Sequence, residues 1–220
     1  MEYKEIFDRI EDVLDGNPHL DELAKLRNSP FKILISTILS ARTRDANTRK
    51  VTKKLFTRFN TPKEISEADV EILEDLVYEA GFYKVKAARI KEVSQILLEK
   101  YNGKVPKTFK ELKKLPGVGR KTANCVLNYA FNIPAICVDT HVHRISNRLG
   151  WVHTKTPQKT EKNLKDLIPK EQWIRINRIF VKFGQQICLP NNPKHDECPV
   201  ENICPKDFSM ENLKKEKSQN

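Results

Sequence analysis

The sequence of 220 residues contains only seven glycines and no apolar run long enough to cross a bilayer. Because a membrane-spanning helix needs about 20 consecutive apolar residues, no membrane partner is expected. The N-terminal segment MEYKEIFDRIEDVL is charged and lacks the apolar core of an export signal. We therefore expect a protein that is not secreted and stays inside the cell, in the cytoplasm or nucleoid, or in a nucleus.

Acidic residues are too few to balance the basic ones. The chain has 40 Lys+Arg and 29 Asp+Glu, which gives a formal net charge of +11. Such a surplus favours a polyanionic partner, because neutralising phosphates releases counterions. A basic but inert surface explains the same count equally well, so charge alone leaves a nucleic-acid partner open.

Strand-like alternation of apolar and polar residues is also missing, whereas helical spacing recurs. Three sets of apolar residues share a helix face: Val51 with Leu55 and Phe59; Leu73 with Leu76 and Val77; Ile90 with Val93 and Leu97. Ser29 and Thr156 stand before prolines as helix N-caps. Thr61 and Thr108 each begin a capping box. This pattern predicts an all-α fold of about ten short helices.

The segment LPGVGRKTA, residues 115–123, predicts a tight turn between two helices. Gly117 and Gly119 allow positive φ and close backbone approach. The second helix would offer unpaired N–H groups and the positive end of its dipole, and Arg120 adds charge. These features favour a phosphate site. An ordinary helical hairpin with glycine in its turn is the alternative.

Lys121 falls in the first turn of that second helix, where the dipole and Arg120 both disfavour a cation. A neutral lysine is what a Schiff-base nucleophile requires, although a solvated surface lysine fits the position too. Asp139, in the sequence VDTH, is interpreted as the N-cap of a helix that runs to Leu149. Capping N–H groups favour an ionised carboxylate, which suits stabilisation of a cationic sugar.

Four potential metal ligands lie near the end of the chain: Cys188, His195, Cys198 and Cys204. Their spacing is Cys-x6-His-x2-Cys-x5-Cys. A structural zinc site, an iron–sulfur cluster with one imidazole ligand, and a loop without metal all remain open on these residues. Cys125 and Cys137 lie outside this loop in apolar surroundings, and we interpret them as core residues.

The stretch from Leu115 to Trp151 resembles the endonuclease III family of helix-hairpin-helix DNA-repair glycosylases. The matching features are the hairpin, the lysine, the VDTH segment and an Arg-x-x-Asn-Arg motif. The resemblance extends from about Pro30 to Cys204. It implies a bifunctional DNA glycosylase and abasic-site lyase of base excision repair, with Lys121 as nucleophile and Asp139 as its essential partner.

The expected substrate is duplex DNA with a damaged base or an abasic site. By the resemblance, the enzyme excises oxidised pyrimidines and nicks the strand by β-elimination. Two alternatives stay open. One is a monofunctional glycosylase for mismatched thymine or adenine. The other is a non-catalytic helix-hairpin-helix module that only binds DNA.

The resemblance also implies further site residues. A [4Fe–4S] cluster is expected on the C-terminal loop, where His195 stands in place of a family cysteine, with zinc or no metal as alternatives. Arg42 and Phe82 map to the positions that fill the gap left by an extruded nucleotide. The remaining predicted DNA contacts are Arg44, Gly117, Val118, Gly119, Arg120 and Lys194.

The domain organisation follows from the same resemblance. It implies two helical domains with the active-site cleft between them. Residues 24–133 form one domain, which contains the hairpin. Residues 1–23 and 134–220 form the other, with the metal loop at 188–204. A monomer is the default expectation.

Overall fold

The computed structural model describes residues 2–15 and 29–209, and these residues form helices and turns without any β-strand. The all-α prediction is therefore confirmed. The eleven α-helices of the described ranges are α1 (Tyr3–Asp12), α2 (Pro30–Ser40), α3 (Asp45–Arg58), α4 (Pro62–Glu67), α5 (Val70–Leu76), α6 (Tyr83–Tyr101), α7 (Phe109–Leu112), α8 (Arg120–Phe131), α9 (Thr140–Arg148), α10 (Pro157–Leu167) and α11 (Trp173–Gln186). Short 3-10 helices span Lys170–Gln172 and His195–Glu197.

Most of the predicted helix starts are confirmed. Ser29 Oγ accepts a hydrogen bond from Lys32 N at 3.1 Å, directly before the proline that opens α2. Thr61 makes a full capping box, in which its own N–H donates to the Glu64 carboxylate at 3.0 Å. Thr156 caps α10. These side chains satisfy N–H groups that a helix cannot pair internally.

The predicted box at Thr108 forms only in half. Thr108 Oγ1 accepts from Glu111 N at 3.3 Å. The Glu111 carboxylate instead accepts from Tyr101 Oη and Lys114 Nζ, each at 2.8 Å. Packing of α6 beside this turn supplies a donor that competes with the local backbone.

Two compact units make up the chain: Met1–Pro18 with Pro134–Asn220, and His19–Ile133. The domain boundary expected between residues 23 and 24 lies outside the described residues. In the 19–133 unit, α2 packs against α8, and both α4 and α5 pack against α6. Ile90, Val93 and Leu97 on α6 are fully buried, as their spacing predicts.

The core of the other unit is built where α1, α9 and α11 pack together. Phe180 is its centre, with ring centroids 5.7 Å from Phe7 and 5.5 Å from Trp151. At the edge of this core, Arg175 on α11 pairs with Asp8 at 2.7 Å and Glu11 at 2.6 Å on α1. A continuous apolar core thus supports the C-terminal loop.

Cys125 and Cys137 are both fully buried, in agreement with their interpretation as core residues. Within residues 2–15 and 29–209, no helix combines the length and apolar character that crossing a membrane requires.

Candidate active site and metal loop

The hairpin turn reverses the chain at Gly117, whose φ is +74°. Val118 N closes the turn by donating to Leu115 O at 3.1 Å. A Cβ at Gly117 would lie 2.9 Å from Cδ of Arg89. Both the left-handed backbone and this close approach therefore favour glycine here, as predicted.

Gly119 behaves differently from the expectation. Its φ of −81° and ψ of −179° are extended backbone, so the positive φ that glycine allows is not used at this position. The chain has already reversed at Gly117, and Gly119 needs only an extended conformation to serve as the N-cap of α8. Among the described residues, no atom outside its chain neighbours lies within 4 Å of the place where its Cβ would be, and Gly119 is exposed.

The residues around Gly119 differ in their exposure. Val118 is buried, whereas the glycines on either side of it are exposed. Arg120, the first residue of α8, is exposed, and its guanidinium carbon lies 5.4 Å from the Phe109 ring centre. Lys121 follows as the second residue of α8 and is half-buried. Its predicted place in the first turn of the hairpin's second helix is confirmed.

Asp139 is the N-cap of α9, as predicted. Its Oδ1 accepts a hydrogen bond from Val142 N at 2.9 Å, and the residue is half-buried. Lys121 belongs to the 19–133 unit and Asp139 to the other. The second carboxylate oxygen, Oδ2, is not needed for the cap.

Arg42 and Phe82, predicted from distant parts of the sequence, lie side by side within the 19–133 unit. The Arg42 guanidinium carbon is 5.6 Å from the Phe82 ring centre. Both residues adopt positive φ, +52° and +59°, and Phe82 is 62% exposed. Arg44, also exposed, is the N-cap of α3 two residues after Arg42. These side chains form an exposed cationic and aromatic patch.

The four predicted metal ligands line a single pocket. The three cysteines among them, Cys188, Cys198 and Cys204, pack against the apolar core of their unit. His195 is half-buried. Burial raises the pKa of the Cys198 thiol, and the sulfurs of Cys188 and Cys204 raise it further. Burial is also the main cause that raises the pKa of Cys204. The thiols thus lie close enough to influence one another.

Among the described residues, no group of three or more His, Cys, Asp or Glu side chains is gathered tightly enough to hold a single metal ion. Lys194, predicted to contact DNA from this loop, is exposed and pairs with Glu197 at 3.0 Å.

Sequence reasoning missed the role of two arginines on α9 that bind this loop. The Arg148 guanidinium, only 3% exposed, donates to Leu189 O at 2.6 Å and Pro190 O at 3.0 Å. It also donates to Cys188 Sγ at 3.4 Å. Arg144 donates to Cys188 O at 2.8 Å. The sequence signal for them is the Arg-x-x-Asn-Arg motif, which places both arginines one helical turn apart but does not say what they bind.

This helix-hairpin-helix turn, within a chain made of helices, defines a class of DNA-repair protein. A family model described as the HhH-GPD superfamily of base excision DNA repair proteins matches residues 35–170. That match covers both the hairpin and the Asp139 helix.

Individual relatives define the family further. Endonuclease III of Thermotoga maritima is 58% identical over 175 residues, which are 80% of this chain and 82% of the relative. Endonuclease III of Bacillus subtilis is 38% identical, with 93% of each chain covered. The solved structure of a trapped endonuclease III–DNA covalent intermediate has a TM-score of 0.76 at 40% identity, covering 89% of this chain and 95% of that one. The chain therefore belongs to the endonuclease III family, and it is a base excision repair glycosylase/lyase.

Proposed function

We propose that this chain excises oxidised pyrimidines from duplex DNA and then nicks the strand, with Lys121 as the nucleophile. One observation carries the assignment. In a member of the endonuclease III family, the half-buried Lys121 is the second residue of a helix that begins at an exposed glycine N-cap. Backbone N–H groups at Gly119 and Arg120 would hold the DNA backbone, since a helix N-terminus favours an anion.

The chemistry needs two side chains. Lys121 Nζ attacks the sugar carbon C1′, a C–N bond forms, and the bond from C1′ to the base breaks. The base leaves with the electron pair and takes up a proton. Asp139, with the carboxylate that caps α9, stabilises the positive charge that develops on the sugar.

Strand cleavage follows from the same adduct. The sugar ring opens to give a Schiff base between C1′ and Lys121 Nζ. Loss of a proton from C2′ then allows the C3′–O bond to break, and the phosphate leaves on the 3′ side. The reaction uses no external oxidant or reductant.

The C-terminal loop fits a [4Fe–4S] cluster held by Cys188, His195, Cys198 and Cys204. The ligand types suit such a cluster, and all four residues line one pocket with apolar walls. The buried Arg148 guanidinium beside Cys188 Sγ would balance part of the thiolate charge. When bound, the cluster would hold the loop and present Lys194 to DNA. Zinc prefers the same ligand types, although the four residues are not gathered tightly enough for a single ion. A visible absorption band together with iron analysis distinguishes zinc from the cluster.

DNA is the proposed partner, and the enzyme would work in the compartment that holds the cell's DNA. Relatives of known structure include an endonuclease III–DNA complex. We propose that Arg42 and Phe82 enter the duplex where the damaged nucleotide is extruded, because chemistry on a stacked nucleotide requires its removal from the helix. Arg44 would contact a phosphate. One chain suffices for these contacts.

Borohydride trapping tests this proposal. The protein is mixed with duplex DNA carrying thymine glycol or an abasic site, borohydride is added, and the products are separated on a denaturing gel. Wild-type protein should give a covalent adduct with both substrates, and Lys121→Ala should give none. Lys113→Ala is the matched control, because it removes an exposed lysine of the same hairpin and should leave the adduct intact.

Three results would overturn the assignment. Base release without any adduct would identify a monofunctional glycosylase. DNA binding with neither base release nor adduct would identify a binding module. An adduct that persists in Lys121→Ala would move the nucleophile to another residue.

A further inference from the structure

Lys86, on α6, is a buried lysine with no part in the chemistry described above. It is only 3% exposed. Its Nζ donates to Leu39 O at 2.7 Å and to Thr43 Oγ1 at 2.6 Å. Lysine is almost never fully buried unless it is paired, so this position requires a structural or functional cause.

The surroundings keep the ammonium charged near neutral pH. Leu39 lies in the last turn of α2, where helix carbonyls lack partners and the dipole is negative. Burial, with a smaller contribution from Arg89, lowers the pKa of Lys86 to about 8. The charge therefore remains at neutral pH, and the end of α2 accepts one of its hydrogen bonds.

The other hydrogen bond connects two loops. Thr43 Oγ1, which accepts from Lys86, also accepts from Gly81 N at 3.1 Å. A second bond joins α3 to one of these loops, from Asn47 Nδ2 to Glu79 O at 3.1 Å. One loop, residues 41–44, follows α2, and the other, residues 79–82, precedes α6. Lys86 thus lies at the junction of both loops and two helices.

Each of these loops carries one residue of the exposed patch. Arg42 and Phe82 both have positive φ, a conformation that costs free energy in residues with a side chain. Such conformations persist only where the surrounding structure holds them. The hydrogen bond from Gly81 N to Thr43 Oγ1 joins the residue before Phe82 to the residue after Arg42, and Arg42 and Phe82 are both exposed.

We infer that Lys86 is a positioning residue, which fixes Arg42 and Phe82 in the paired geometry that fills a duplex after nucleotide extrusion. This inference rests on the proposed function, because it assigns the loops a role in opening DNA. In the proposed role, Lys86 itself touches neither the DNA nor the reacting sugar. Its removal should therefore affect duplex substrates and spare a lesion that is already unstacked.

The test compares one lesion in two contexts. Lys86→Met keeps the length and apolar stem of the side chain and removes the charge and donors. An abasic site is placed in a duplex, with 2-aminopurine beside it to report unstacking, and also in the single strand alone. The rate of the fluorescence rise and the rate of borohydride trapping are measured on each.

For Lys86→Met we expect the duplex trapping rate and the 2-aminopurine response to fall about tenfold or more, since small misplacements of positioning groups carry large rate penalties. Trapping on the single strand should stay within about twofold of wild type, because no stack has to be opened. Thr43→Val, which removes the shared hydroxyl, should behave in the same way. Thr43→Ser, which keeps it, should behave like wild type.

Lys91→Met is the matched control. Lys91 is on the same helix and also donates to a backbone carbonyl, that of Ala68, away from the two loops. It should leave both rates unchanged. Equal losses on duplex and single strand in Lys86→Met would reveal a general structural role and overturn the inference, as would no loss at all.

Failure of the proposed function gives a different result. Wild-type protein would then trap no adduct with either substrate. In that case, comparing the 2-aminopurine fluorescence rise between wild type and Lys86→Met still tests the positioning role. This signal depends on duplex opening and not on Schiff-base chemistry.

Discussion

Gly81 has no Cβ, and the carbonyl oxygen of Arg42 therefore packs closely against it. A Cβ at Gly81 would lie 2.5 Å from Arg42 O, a backbone atom that cannot rotate away. The loops that carry Arg42 and Phe82 are therefore in contact through their backbones as well as through the side-chain pair. Their mutual position is set by close packing, which tolerates little change.

Gly81→Ala should separate these two loops. The added methyl must displace the Arg42 backbone, and we expect a loss of about 1–3 kcal/mol in the free energy of unfolding. Duplex trapping should fall more than single-strand trapping. Gly103→Ala is the control: its φ of +73° makes alanine strained, yet its Cβ would meet only Leu98 at an ordinary 3.7 Å. Equal duplex rates in the two variants would contradict the prediction.

The Asp139 carboxylate caps α9 and is also the proposed catalytic anion, and two substitutions separate these roles. Asp139→Asn keeps an oxygen that accepts from Val142 N, so thermal stability should be nearly unchanged. Asp139→Ala removes the cap and should cost about 1 kcal/mol. Both variants should lose on the order of 100-fold in glycosylase rate, because both lack the anion. Full activity in Asp139→Asn would show that the carboxylate acts only as a cap.

Alanine substitutions at the two hairpin glycines should have different effects, one mainly on stability and the other mainly on DNA binding. Gly117→Ala forces a left-handed alanine and should destabilise the fold by about 1–2 kcal/mol. Gly119→Ala keeps an allowed φ and meets no atom of the described residues within 4 Å, so its melting temperature should fall less than that of Gly117→Ala. The same methyl enters the proposed phosphate site, and affinity for duplex DNA should fall. Unchanged affinity in Gly119→Ala would place the phosphate elsewhere.

The lowered pKa of Lys86 predicts that the stability difference between wild type and Lys86→Met depends on pH. Burial lowers the pKa of Lys86 in the folded protein from 10.5 to about 8. Between these values the unfolded chain binds more protons than the folded one, so this residue makes the fold more stable as pH rises. The melting temperature of wild type minus that of Lys86→Met should therefore increase from pH 8 to pH 10. Lys91→Met, compared in the same way, should give a flat difference.

Arg148 should be required for the metal loop. Arg148→Met leaves the carbonyls of Leu189 and Pro190 without their donor, at about 1 kcal/mol for each partly buried hydrogen bond that is lost. Metal content per chain and melting temperature should both fall. Arg175→Met, which breaks the link between α11 and α1, should lower the melting temperature and leave the metal content unchanged. Full metal loading in Arg148→Met would refute this role.

Local chemistry explains what the sequence could predict. Thr61, Thr156 and Asp139 cap helices with atoms three residues away, so a short string contains all the information that the cap requires. The turn at Gly117 is predicted for the same reason. The match to a long motif then connects Lys121 with the family chemistry.

Packing explains what the sequence could not predict. Lys86 bonds to a carbonyl 47 residues earlier, and its residue type gives no sign of burial. The Glu111 carboxylate turns to Tyr101 because α6 happens to lie beside it. Gly119 has the residue type for a positive φ but no need for one, since Gly117 has already turned the chain. Each of these outcomes depends on neighbours that only the folded chain supplies.

Helix α9 begins at the carboxylate of Asp139 and ends at Arg148, which binds the metal loop. Its nine residues form a stiff rod of about 14 Å, since each residue adds about 1.5 Å. We therefore expect a displacement of Arg148 to move Asp139 together with the helix. Oxidation of a loop cysteine would then lower the enzyme's activity although the Asp139 carboxylate itself is chemically unchanged.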